Sequence, residues 1–323
     1  MKVLVLGGSG FLGKRLVKSL LEKESLNIAS KGSEKLTKLV LFDTSKPTAL
    51  PDDDRLECLE GDICDKSTIK NLLAGKFDLI FHLAAIVSGE AEKKFELGMD
   101  VNLEASLFLL EECRQSNHAP VLVFASSCAV FGGLDNKVVE DHIASTPKSS
   151  YGTQKAIVEL LINDYSRRGF VDGRSLRLPT IAIRPGSANA ATSSFASAIV
   201  REPLHRQTTN CPVSKTTQIW ILSPRKVTDH FLHAASIDGS TLGANRIITL
   251  PGLTTSVHEM CVAMDKLSEH SPSQLISWER DPFIESIVHT WPTKFKPTRA
   301  LQLGFKPDSN IEEIIGIFME EEL

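Results

Sequence analysis

The segment Val3-Leu4-Val5-Leu6-Gly7-Gly8-Ser9-Gly10-Phe11-Leu12-Gly13 restricts the fold more than any other part of the chain. An apolar run of one strand's length leads straight into a glycine turn. The turn opens a stretch with apolar residues at Leu12, Leu16, Val17, Leu20 and Leu21, the spacing of a helix with one buried side. Gly7 and Gly8 permit a tight turn, and Gly10 leaves room for backbone N–H groups to approach a pyrophosphate at the positive end of the helix. Gly13 lets helix and strand pack closely. Strand, glycine turn and helix in immediate succession predict a dinucleotide site.

The rest of the first half repeats this alternation. Short continuous apolar runs occur at Leu39 to Phe42, Leu79 to Leu83 and Val121 to Ala125, and a further run, broken by Glu57, at Leu56 to Leu59. Runs apolar at every position belong to strands buried on both faces, as in a parallel sheet covered by helices. Helical periodicity lies between them, at Ser67 to Leu73 and Val101 to Cys113, while the polar stretch from Glu24 to Lys38 reads as a surface excursion. The prediction is a Rossmann-type, doubly wound parallel α/β sheet. After residue 183 the alternation breaks down, and Pro185, Pro203, Pro212, Pro224 and Pro251 punctuate shorter elements. We therefore expect a cofactor domain over 1–183 and a smaller α/β substrate lobe over 184–323, with chain crossing between them allowed.

Charge and cysteine usage narrow the partners. A net charge of -4, with cations and anions interspersed, offers no footprint for nucleic acid. Cys58, Cys64, Cys113, Cys128, Cys211 and Cys261 form no Cys-x-x-Cys pair and have no zinc-finger histidines, which predicts reduced thiols, a cytoplasmic location and no metal. The apolar start resembles a signal segment only until it meets the glycines. No apolar stretch reaches the roughly 18 residues of a spanning helix, so no membrane partner is expected.

Asp43 ends the second apolar run, where a carboxylate accepts from both adenosine ribose hydroxyls and repels a 2′-phosphate. That favours NAD over NADP. It lies thirty residues beyond Gly13, further than the usual spacing of about twenty, and the polar excursion accounts for the excess. Lys46 is a weak counter-signal, read as a solvated loop lysine. Asp62 and Ile63, after the third run, are candidates for the adenine end; Asp62 reads equally well as a cap for the helix starting near Ser67. His82-Leu83-Ala84-Ala85 ends the fourth run in small residues that let a cofactor lie close to the backbone, with His82 packed or beside the cofactor.

Tyr151 and Lys155 are four residues apart at the start of a predicted helix and so share a face. A tyrosine, with a pKa near 10, is a poor base at neutral pH until a cation stabilises its phenolate. The only other tyrosine, Tyr165, has Gly169 four residues on. Ser126 and Ser127 end the fifth run at the sheet's carboxyl edge, where ligands of open α/β sheets bind.

Glycine turn, strand-end serine and Tyr-x-x-x-Lys, in this order, resemble the extended short-chain dehydrogenase/reductase family of nucleotide-sugar epimerases and dehydratases. The likeness spans the chain and includes Ser127-Cys128-Ala129-Val130-Phe131-Gly132, with Phe131 where that family has tyrosine, and the closing segment Thr298 to Pro307. It implies NAD, a homodimer, a Ser127-Tyr151-Lys155 triad in which Lys155 holds the nicotinamide ribose and lowers the Tyr151 pKa, and further cofactor contacts from Phe11, Leu12, Asn102, Ser126 and Pro179.

Two departures weigh against a nucleotide-sugar substrate. Thr180 stands where the family's epimerases place an asparagine, and Ile219 stands where they place a diphosphate-binding arginine, which isoleucine cannot replace. The segments Arg184-Pro185-Gly186, Asn189 to Phe195 and Trp220 to Arg225 are similar to those of family members that oxidise a four-carbon sugar acid at C2. That resemblance implies a sugar-acid substrate contacted by Ser127, Thr180, Arg184, Ser193 and Arg225. Arg184 and Arg225 are candidates for its carboxylate, because guanidinium binds carboxylate in a two-pronged manner; either also reads as a structural ion-pair arginine. The competing readings are a nucleotide-sugar 4-epimerase with tightly held NAD and a non-catalytic NAD sensor.

Overall fold

Seven parallel strands form the central sheet of the computed structural model, which describes residues 1–47, 50–133, 137–186 and 191–323. In chain order they are β1 (Lys2–Leu6), β2 (Lys38–Asp43), β3 (Leu56–Glu60), β4 (Leu79–His82), β5 (Val121–Ser127), β6 (Asp172–Leu178) and β7 (Ile247–Thr249). Across the sheet they run β3-β2-β1-β4-β5-β6-β7. The order reverses between β1 and β4, and a crevice opens beyond the carboxyl ends of the strands at such a switch point. The expected doubly wound architecture is the one observed.

Burial explains the continuous apolar runs. Val3, Val5, Leu39, Leu41, Leu79, Phe81, Val121 and Val123 face one side of the sheet, where α1 (Phe11–Leu21) covers them. Their neighbours Leu4, Leu6, Val40, Phe42, Ile80, Leu122 and Phe124 face the other, under α2 (Lys66–Leu73), α3 (Ala105–Gln115) and α4 (Ser150–Arg167). A strand covered on both faces has no solvent side on which to place polar residues.

The Glu24 to Lys38 stretch departs from expectation. Ser25–Ile28 and Gly32–Lys35 pair as an antiparallel hairpin, and Leu26, Ile28 and Leu36 are buried in the first core. Each strand carries too few apolar residues for the sequence to show alternation, so a stretch read as surface is half core.

A second core lies in the later part of the chain. It joins α5 (Phe195–Leu204), α7 (Val257–Leu267) and α8 (Ile311–Glu322) to a three-stranded sheet of Thr180–Ile181, Gln218–Leu222 and Leu253–Ser256. Two later elements also complete the first sheet. β7 pairs with β6 from Ile247–Ser175 to Thr249–Arg177, and α6 (Pro224–Ser236) brings Val227 and Phe231 to the face covered by α1. Arg174 of β6, fully buried, fastens α6 by donating Nε–H to the Ala234 carbonyl at 2.8 Å. Among the described residues no helix is long and apolar enough to cross a membrane.

Candidate active site

The glycine turn after β1 is held against the end of β4. Gly7 has φ +81°, and a Cβ there would stand 2.5 Å from the Ala84 backbone nitrogen, so only glycine fits. Gly10 differs: a Cβ built on it would meet only the Gly7 carbonyl, at 3.5 Å, and would otherwise fill the open mouth of the turn. α1 begins there with no side-chain cap and no acidic residue in its first turn, so its leading N–H groups are left for an anion. Gly13 is buried against Gly7 and Gly8, while Phe11 and Leu12 are half-buried at the helix start.

From this turn a cleft of about 390 Å³ runs along the carboxyl edge, lined by Asp43, Asp62, Ile63 and Leu83 to Ala85 among others. Asp43 accepts from the Ser9 N–H at 2.9 Å and the Thr44 N–H at 2.7 Å. The Thr44 hydroxyl adds a longer bond at 3.3 Å, and of a carboxylate's roughly four acceptor sites one stays open to a ribose hydroxyl. Lys46 is exposed. Asp62 accepts from Cys64 N–H at 2.8 Å, and the N-cap of α2 is Asp65, so the capping alternative for Asp62 is corrected to its neighbour. The turn, the uncapped helix and the acid at the end of β2 together fit a dinucleotide.

The Tyr151 end is assembled from packed side chains. Gly152 brings α4 against the turn after β5, since a Cβ on it would lie 2.1 Å from the Ala129 carbonyl. Ser149 caps the helix by accepting from Gly152 N–H at 3.2 Å, and Glu92 accepts from Ser150 N–H at 2.8 Å. This close approach places Tyr151 beside Ser127. The Ser127 oxygen accepts from Ala129 N–H at 3.1 Å, and the Ser127 side chain is near enough to the phenol to favour its ionised form. Tyr151 is half-buried as a residue, yet its phenol lies deep, and burial pushes its pKa up to about 12. The Arg184 charge and the Ser127 side chain pull it the other way.

Lys155 is 1% exposed. Its ammonium sits 4.5 Å from the Phe124 ring centre and 5.6 Å from that of Tyr151. Burial lowers its pKa to about 7, opposed by the charge of Glu159. Arg184 is thus a cation that favours the phenolate, and the Lys155 ammonium lies against the ring face. His82 is a packed residue: its Nε2 lies 2.8 Å from Ser106 Oγ, and burial holds its pKa near 3, so it is neutral.

Arg184 is largely buried, with its guanidinium 5.7 Å from the Phe11 ring centre. Its Nε–H donates to the Ile181 carbonyl at 3.0 Å and its Nη2 to Ser193 Oγ at 3.3 Å. Among the described residues no carboxylate pairs with it. Arg225 is placed otherwise. Its guanidinium is taken by Glu320 at 2.6 Å and Glu321 at 2.7 Å on α8, which is the ion-pair alternative and removes it as a carboxylate receptor. Asn189, within the second-lobe segment, lies outside the described residues.

Other expected contacts serve as braces. Asn102 is buried in a π-helical segment, Met99–Glu104, where it accepts from Ile86 N–H at 2.8 Å and donates to Gln154 Oε1 at 2.8 Å. It thus ties the Leu83 to Ile86 loop to α4. The hydroxyl of Ser126 is turned away from the cleft and donates to Glu159. Pro179 is buried where β6 ends, next to Thr180, which pairs with Ile221. Sequence reasoning missed Gln154, Glu159 and the Glu159 partner Arg177. The signal available for Glu159 was an acid at helical spacing from Lys155.

Comparison with known proteins agrees with this geometry. Residues 3–228 match the model of the NAD dependent epimerase/dehydratase family. The chain is 46% identical to a D-erythronate dehydrogenase of Cupriavidus necator, over 99% of this chain and 98% of that one. It is 43% identical to a D-erythronate dehydrogenase of Haemophilus influenzae over the whole of both. A crystal structure described as a nucleoside-diphosphate-sugar epimerase from Agrobacterium tumefaciens superposes with a TM-score of 0.94 at 39% identity, covering 100% of this chain and 94% of that one.

Proposed function

The chain belongs to the NAD-dependent epimerase/dehydratase family, and on that premise we propose that it oxidises the C2 hydroxyl of a small sugar acid, D-erythronate, to the 2-oxo acid. It is an NAD-dependent oxidoreductase acting on CH–OH. The observation that carries the substrate class is Arg184, a largely buried guanidinium beside the Tyr151 phenol with no carboxylate partner among the described residues. A buried, unpaired cation is costly unless an anion reaches it. The carboxylate of a 2-hydroxy acid, bound there, sets its C2 hydroxyl one carbon away, toward Tyr151 and Ser127.

In this mechanism Ser127 orients the C2 hydroxyl and Tyr151 takes its proton. The chemistry that bound NAD would supply is an acceptor for the hydride leaving C2. The turn from Gly7 to Gly10 and the first turn of α1 would hold the pyrophosphate, Asp43 the adenosine ribose, and Lys155 the nicotinamide ribose. Arg184 has two tasks, since the charge that binds the carboxylate also stabilises the phenolate. The six unbridged cysteines support a cytoplasmic location. Exposed Leu107 on α3, with Ile157 and Leu160 on α4, supports a homodimer across those helices.

The epimerase reading needs a cation for a diphosphate, and Ile219 is buried in the second core where that cation would be required. Absorbance at the NADH wavelength, with NAD and a panel of four-carbon sugar acids beside UDP-sugars, tests the proposal. Net NADH from D-erythronate is the expected result. Interconversion of a UDP-sugar without net NADH overturns it.

A further inference from the structure

Glu159 lies one helical turn beyond Lys155 on α4 and is 1% exposed. Three contacts fix its carboxylate. Arg177 of β6 donates Nε–H at 2.9 Å and Nη2–H at 2.7 Å, and the Ser126 hydroxyl donates from β5. The proposed chemistry uses neither Glu159 nor Arg177. Yet this buried pair is set behind the lysine of the proton-handling centre, where a structural role alone would not require an acid. Replacing a buried ion pair by apolar groups of similar volume is often neutral or stabilising.

We infer that Glu159 is a positioning residue: clamped by Arg177 and Ser126, its buried negative charge keeps the Lys155 ammonium protonated in a pocket that otherwise strips it of water. The surroundings of Lys155 make such a charge necessary. From α4 it is faced by Tyr151 and Glu159, from β5 by the Phe124 ring, and from β4 by His82. In the ligand-free protein Tyr151 is uncharged at neutral pH, because burial pushes it up to about 12. His82 is uncharged, its pKa being held near 3 by burial. Arg177 of β6 holds the Glu159 carboxylate in place, and the charge of Arg184 acts on the Tyr151 phenol. Glu159 is thus the anion whose field reaches Lys155, and burial alone would take the proton away.

This inference rests on the assignment of Lys155 to the proton-handling pair, and the test keeps the two apart. The ε-carbon resonance of Lys155, in ligand-free protein carrying ¹³C-lysine and assigned by its loss in Lys155→Met, is followed through a pH titration. In Glu159→Gln the midpoint should fall by about one pH unit or more, a tenfold or greater rise in the acid dissociation constant. In Glu159→Asp it should stay near the wild-type value. The alkaline limb of kcat/KM moves to lower pH by the same amount, because the lysine must be charged to act.

A folded Glu159→Gln protein with an unmoved midpoint overturns the inference. If that variant fails to fold, Glu159→Leu with Arg177→Met removes both buried charges together and is read in the same way, an unmoved midpoint again overturning the inference. A shifted midpoint beside full activity of Lys155→Met would instead defeat the assignment of Lys155 while leaving the Glu159 field in place.

Discussion

At the glycine turn the ligand-facing groups are backbone N–H groups on a loop wedged against Ala84, whereas around Tyr151 they are side chains whose charges are tuned by burial. The first end works through space: Gly7 and Gly10 matter for the side chain they lack. The second works through fields, because Tyr151, Lys155, Glu159 and Arg184 each change what a neighbour's proton costs. A backbone-built site should fail by distortion and lose binding. A site built from charges should fail in rate and in pH dependence, with the cofactor end intact.

The largest expected effect is at the charged end. Tyr151→Phe removes the proton acceptor and leaves the ring that packs under Lys155, so kcat should fall about a thousandfold. NAD affinity, measured by calorimetric titration, should stay at the wild-type value. Turnover within about tenfold of wild type would mean that another group takes the proton, and the contrast between the two ends would break.

Gly7→Ala probes the other end. A Cβ at positive φ, pressed against the Ala84 backbone, should destabilise the fold by about 3 kcal/mol. Urea unfolding measures that loss, and NAD titration should show weakened binding because Ala84 must move. At saturating NAD the rate should recover, since Tyr151 and Ser127 are untouched. A variant as stable as wild type, with unchanged NAD affinity, would show that the turn tolerates what its geometry forbids.

The two ends were not equally legible in the sequence. Gly7 to Gly13 announced the cofactor end because steric demands recur at fixed spacing, and β1, β2, β4 and β5 announced themselves as continuous apolar runs. Tyr151, Lys155 and Ser127 were found as a pattern, but the pattern carried no information on which charge acts on which. Lys155 was expected to acidify the phenol, and Arg184, thirty-three residues beyond Tyr151, adds a charge that favours the phenolate and that no spacing announced. β6 was hidden for a physical reason. Arg174 and Arg177 lie within it, and their partners, among them Asp172 and the Ala234 carbonyl for the first and Glu159 for the second, make a charged strand tolerable in a core. β7, three residues long, is too short to show any period.

The two second-lobe arginines sharpen the comparison from the substrate side. Both were candidates for the carboxylate with no ground for choosing between them, because an ion-paired and an unpaired guanidinium look the same in one dimension. Arg184→Met should remove about 2.7 kcal/mol of charged hydrogen bonding, a roughly 100-fold loss in kcat/KM, carried mainly by KM. It should also move the acidic limb of the rate profile to higher pH. Arg184 favours the phenolate, so without it the phenol holds its proton longer. Arg225→Met should do neither. Its partners Glu320 and Glu321 are solvent-reachable on α8, and exposed pairs of that kind are worth about 0–1 kcal/mol. Steady-state kinetics across pH on both variants decides between them. A KM effect at Arg225 equal to that at Arg184 would place the carboxylate elsewhere and detach the sugar-acid reading from the buried cation that supports it.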